Sequence, residues 1–104
     1  MPYAIHYTQI AEKHLRALPA RLQRTVIDTV DRQLMHEPTK ATRNKKQMRP
    51  NPIAPWELRI GTLRVYYDVN EDEGPSVNVV AIGIKERNTV VIGGEVMELN
   101  DEND

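Results

Sequence analysis

The stretch that most constrains this chain is residues 56–69, WELRIGTLRVYYDV, where apolar side chains recur at every second position on both sides of Gly61-Thr62. A period of two is that of a strand with one buried face. A glycine-first pair is a hairpin loop whose twist matches that of the strands it joins. With Gly61 and Thr62 as the turn, Ile60 pairs with Leu63, Arg59 with Arg64, Leu58 with Val65, Glu57 with Tyr66 and Trp56 with Tyr67. One face then carries Trp56, Leu58, Ile60, Leu63, Val65, Tyr67 and Val69. The other carries Glu57, Arg59, Arg64, Tyr66 and Asp68. A lone hairpin is marginal in water, so the rest of the chain must cover the apolar face.

Two helices are available to do so. Tyr3 to Tyr7 reads as a short strand, and Thr8 as the N-cap of a helix carrying Ile10, Ala11, Leu15 and Leu18 at helical spacing. Pro19 ends that helix, and a second one presents Leu22, Val26, Ile27, Val30 and Leu34 before Glu37-Pro38 stops it. Residues 39–55 hold three prolines and five bases with no sustained period, and read as a long loop. Beyond the hairpin, Val77 to Ile84 is too apolar for an edge and reads as a central strand, and Val90-Val91-Ile92 adds a short one before Gly93-Gly94. Helices first and hairpin-linked strands afterwards predict an α+β fold. The N-terminal strand and both helices lie on one face of a four-stranded, mainly antiparallel sheet. The predicted organisation is a single domain over residues 1–94 and an acidic, poorly ordered tail over 95–104.

Charge is distributed unevenly. The formal net charge is -1, but residues 95–104 hold five acids and no base, leaving 14 bases against 10 acids in residues 1–94. From Lys40 to Arg64 there are seven bases and one acid, Glu57. Such a cluster points to a polyanionic partner. The absence of cysteine removes disulfides and thiol chemistry. The histidines, His6, His14 and His36, lack ligand spacing, so no metal is expected. No apolar run reaches the length of a bilayer span, and MPYAIHYT lacks a secretory apolar segment. A cytoplasmic chain without a membrane partner is the expectation.

Arg59 and Arg64 form the candidate site. Like charges opposed across strands cost a few tenths to about 1 kcal/mol, so the pair calls for an anion or for Glu57 to relieve it. Arginine's planar fork suits phosphate. Tyr66, on the same face, can stack on a base. If Val80, Ile82 and Ile84 face the helices, then Ala81, Gly83 and Lys85 face the arginines, with small side chains leaving room for a ligand. Lys85 and Arg87 add cations at the rim. Lys45, Lys46 and Arg49 in the basic loop are further RNA-binding candidates.

The string Pro55-Trp56-Glu57-Leu58-Arg59-Ile60-Gly61-Thr62-Leu63-Arg64-Val65-Tyr66-Tyr67-Asp68-Val69, followed by Val80-Ala81-Ile82-Gly83-Ile84-Lys85-Glu86-Arg87, resembles the RelE/ParE toxin superfamily of bacterial type II toxin–antitoxin systems. The resemblance runs to about Gly94 and includes Leu18-Pro19 and Glu37-Pro38. It implies a RelE-like fold. It also implies an endoribonuclease that cuts mRNA in the ribosomal A site, using the RNA 2'-hydroxyl as nucleophile and needing no cofactor, and a cognate antitoxin as partner. On this resemblance Arg64 falls at the scissile phosphate, while Arg59 and Lys85 supply further positive charge. Glu57 stands where the founding pattern has a lysine, and Val91 where it has a tyrosine. Glu57 and Glu86 are then the candidates for proton transfer. The same resemblance leaves open a ParE-like inhibitor of DNA gyrase, and a decayed toxin that only binds its antitoxin.

Overall fold

The computed structural model describes residues 2–72 and 74–97. Its elements in chain order are β1 (Ala4–Tyr7), α1 (Gln9–Arg16), α2 (Ala20–Leu34), β2 (Lys45–Gln47), β3 (Trp56–Ile60), β4 (Leu63–Asn70), β5 (Ser76–Glu86), β6 (Thr89–Ile92) and β7 (Glu95–Met97). Strands β2 to β7 lie in sequence order and pair antiparallel, while β1 joins β5 in parallel, Ala4 opposite Ser76 and Tyr7 opposite Val79. The α+β class and the helices on one face are as expected. The sheet has seven strands among the described residues rather than an N-terminal strand and four others.

Local chemistry accounts for the boundaries. Thr8 Oγ1 accepts from the Ala11 amide at 3.1 Å, capping α1. Pro19 opens α2 with no side-chain cap. The exit of α2 is held from the sheet: the Lys45 ammonium donates to the Gln33 and Glu37 carbonyls at 3.1 and 2.8 Å, and the Tyr67 hydroxyl donates to Pro38 at 2.6 Å. The first satisfies a carbonyl that the helix end leaves open, and the others tie down the chain just beyond it. Gly61 turns the β3–β4 hairpin with a φ of 59°, the left-handed value that the first position of such a loop needs.

The register of β3 on β4 is the one the alternation predicts, from Trp56 opposite Tyr67 to Ile60 opposite Leu63. Trp56, Leu58, Leu63, Val65 and Tyr67 pack with Val26, Val30 and Leu34 of α2 and Ala11 of α1 in the main core. Trp56 and Tyr67 stack with ring centroids 6.1 Å apart. Ile27, expected in that core, is 39% exposed.

The opposite face was expected to be open, and it is covered. Met48, Ile53 and Ala54 cross it and pack with Tyr66, Val80, Ala81, Val90, Ile92 and Met97 in a second core. The segment expected to be featureless is organised by one side chain, Asn51. Its amide donates to the Arg49 and Ala54 carbonyls and its carbonyl accepts from the Ile53 and Ala54 amides, at 2.7 to 3.1 Å. β2 lies in the same segment. At the other end of the sheet, Gly93 and Gly94 turn the chain into β7. The expected tail therefore begins with three residues of strand, and 98–104 lie outside the described residues. No described helix is long and apolar enough to cross a membrane.

Candidate functional site

Arg59 and Arg64 are opposite one another in the β3–β4 ladder, and Gly83 of β5 lies next to Arg64 in the same row. Lys85 is two residues further along β5, and its amide donates to the Thr62 carbonyl of the hairpin turn at 2.8 Å. Arg87 is exposed at the tip of the β5–β6 hairpin. The register therefore gathers Arg59, Arg64, Lys85 and Arg87 at one end of the sheet. Arg87 has a φ of 59°, a left-handed conformation that costs an L-residue roughly 1–2 kcal/mol.

The two opposed arginines are held in different ways. Arg59, 21% exposed at its side chain, donates from Nε to Oε1 of the fully buried Glu57 at 2.9 Å. These residues are two apart on one strand and so share a face. Arg64 is 6% exposed. Its Nη1 donates to the Gly61 and Leu63 carbonyls at 2.7 and 2.9 Å, and its Nε is buried without a hydrogen-bond partner. The tight turn thus presents two backbone oxygens that fix the guanidinium from behind. No carboxylate bridges Arg64 among the described residues.

Several expected roles change in three dimensions. Lys45 is buried against α2, where its ammonium bonds two carbonyls and burial lowers its pKa, so it serves the fold and not a nucleic acid. Its Cα partner is Leu58, which places it on the helix side of the sheet. Lys46, opposite Glu57, faces the arginine side. Arg49 is exposed on the loop past the other end of β2, away from the turn. Tyr66 is fully buried in the second core, unable to stack on a base as placed. Glu57 is likewise sealed from solvent, which removes it as a direct proton acceptor for RNA.

A register shift between Tyr66 and Tyr67 puts an extra residue into β5. This bulge turns Val80 to the arginine side with Ala81, while Val79 and Ile82 both face the helices. The predicted direction of Val80 is thereby reversed, and that of Ala81, Gly83 and Ile82 stands. The space expected over Gly83 is occupied. A Cβ there would come within 2.7 Å of Val90 and 2.8 Å of Ile92 side-chain atoms, so glycine admits these residues and not a ligand. Val91 pairs with Ile84 and lines a groove against α1, on the opposite face from Arg64. The described residues hold no group of three His, Cys, Asp or Glu able to bind a metal ion.

The sequence matches no protein-family model and no curated protein. Its fold does have a solved counterpart, the crystal structure of the toxin–antitoxin complex RelBE2 from Mycobacterium tuberculosis. The TM-score is 0.69 at 27% identity, over 82% of this chain and 93% of that one. The predicted hairpin register, the Arg-Val-Tyr-Tyr-Asp-Val strand on which Arg64 sits, and this structural likeness agree. The chain has a RelE-like fold, and the likeness supports its resemblance to the RelE/ParE toxin superfamily.

Proposed function

We propose that this chain is the toxin of a type II toxin–antitoxin pair and that it acts as an endoribonuclease on mRNA in the ribosome, with Arg64 gripping the scissile phosphate. The supporting observation is Arg64 itself, a buried guanidinium fixed by two turn carbonyls, with its Nε unpartnered. A buried cation without a counter-charge costs several kcal/mol, and a phosphate oxygen offsets that cost. Arg59, steadied by Glu57, stands opposite, and Lys85 and Arg87 extend the positive end of the sheet. Lys46 holds the flanking RNA backbone along the β2 edge.

The 2'-hydroxyl of the RNA attacks the adjacent phosphorus, and the protein aligns it and stabilises the charge that builds on the phosphate oxygens. Glu57 acts by positioning Arg59. Of the two carboxylates considered for proton transfer, the exposed Glu86 in the β5–β6 hairpin is the one open to solvent. An antitoxin partner is supported by the solved counterpart, which is itself a toxin–antitoxin complex. An acidic segment of such a partner suits the Arg59–Arg64 end.

The test is induced expression of wild type and Arg64→Ala, read by growth, protein synthesis and mapped mRNA ends. Wild type halts translation with cuts in ribosome-bound mRNA, and Arg64→Ala lowers the cleavage rate by about 10²–10³-fold, the usual effect of losing one group that stabilises developing negative charge. Full toxicity in the Arg64→Ala strain would overturn the assignment. A DNA-damage response with intact protein synthesis would instead place the chain among gyrase inhibitors.

A further inference from the structure

One edge of β5 has a break. On the side away from β4, β1 pairs with it from Ser76 to Val79 and β6 from Gly83 to Glu86, so the backbone of residues 80–82 meets no strand there. Two side chains close the break, one from α1 and one from its N-cap. Thr8 Oγ1 donates to the Val80 carbonyl at 3.4 Å, and His14 Nδ1 accepts from the Ile82 amide at 3.1 Å. Ile82 is a buried residue of the main core, and a buried backbone N–H left without an acceptor is costly. Its partner here is a single imidazole nitrogen.

An Nδ1 that accepts a hydrogen bond carries no proton, so the neutral ring bears its proton on Nε2. That edge of the ring abuts the β6–β7 turn, where a Cβ at Gly93 would lie 3.0 Å from Nε2. The imidazole is thus wedged between the broken edge and the turn. Lys13, its neighbour on α1, lines the groove on one side of it, and Glu95 of β7 lines the hollow on the other. The groups packed around the ring from β5, β6 and the loop, including Ile82, Val91 and Ile53, are apolar.

We propose that His14 is a protonation-controlled latch: neutral, it closes the break in β5, and protonated, it releases the Ile82 amide and opens the apolar slot between α1 and the β6–β7 hairpin. A second proton turns Nδ1 from acceptor to donor, and two donors then face one another at the 3.1 Å contact. The ring must swing out. Burial holds the His14 pKa below its usual 6.5. The sign follows: the latch contributes stability above about pH 6.5, the unfolded value, and that stability is lost as pH falls toward the lower latched value.

The test is NMR on the full chain across pH 5 to 8. It follows the His14 ring nitrogens and the exchange of the Ile82 amide, with Leu58 in the centre of the sheet as reference. The open fraction at Ile82 rises about tenfold per pH unit between 6.5 and the latched value, in step with His14 titration and beyond any change at Leu58. His14→Asn keeps an acceptor near the place of Nδ1 and cannot titrate, so its Ile82 protection shows no such step. A neutral ring protonated on Nδ1, a titration of His14 that leaves Ile82 protection unchanged, or the same step in His14→Asn each overturns the latch. The wild-type titration decides alone if the variant does not fold.

Discussion

The two faces of the sheet differ in what fills them. On the helix side, Leu58, Val65, Tyr67, Val77 and Val79 are fully buried in an apolar core that also receives the stripe of α2. On the other side a smaller core, lidded by Met48, Ile53 and Ala54, surrounds Tyr66 and borders on a buried acid and two arginines. The first face holds the chain together by burial of apolar area. The second spends part of that stability on fixing charges in place, as functional sites do. A residue's burial alone therefore says little about its task here: Leu58 and Glu57 are both fully sealed, one for packing and one to orient Arg59.

The contrast is broken most directly at its extremes. Leu58→Ala, on the helix side, costs about 2–5 kcal/mol of folding free energy, measured by denaturant unfolding. Arg64→Ala shifts that midpoint less, because its bonds run only to the Gly61 and Leu63 carbonyls at the end of the hairpin, and under the proposed function it lowers cleavage by about 10²–10³-fold. If Arg64→Ala destabilises the protein as much as Leu58→Ala, the faces do not divide in this way. Next in size is Glu57→Gln, which removes the carboxylate charge that Arg59 Nε meets and costs about 1–3 kcal/mol. In a double-mutant cycle with Arg59→Gln the losses are less than additive. Strict additivity would show that Glu57 does not act through Arg59. Smallest is Arg87→Gly, which relieves the left-handed strain and raises stability by up to about 1 kcal/mol. Reduced toxicity alongside that gain marks Arg87 as a group that pays for its strain with function.

How much of this was legible in the sequence depends on the kind of signal. The β3–β4 register could be read residue by residue, because alternation and a glycine-first turn fix it together. The opposition of Arg59 and Arg64 followed from that register, whereas Lys85 and Arg87 joined them only through the pairing of β5, which alternation alone left conditional. The second core could not be read, because Met48, Ile53 and Ala54 come from a proline-broken stretch whose order rests on the Asn51 side chain and not on any period. Lys45 looked like a nucleic-acid contact because composition shows its charge and not its partners, the α2 carbonyls. The bulge that reverses Val80 leaves no mark in a run of β-branched residues. β7 was masked by the acidic composition of the segment it opens.

The parallel pairing of β1 with β5 bears on when the molecule can exist at all. Residues 4–7 find their sheet partners only at 76–79, so loop closure over most of the chain precedes the reward of that pairing. A growing polypeptide short of residue 79 can form the helices and the β3–β4 hairpin, but it cannot seat its own first strand. Strand β6 and the edge that His14 closes come later still. Synthesis must be almost finished before a complete sheet stands behind Arg64, so an unfinished chain does not yet present the basic end of the sheet in its final form.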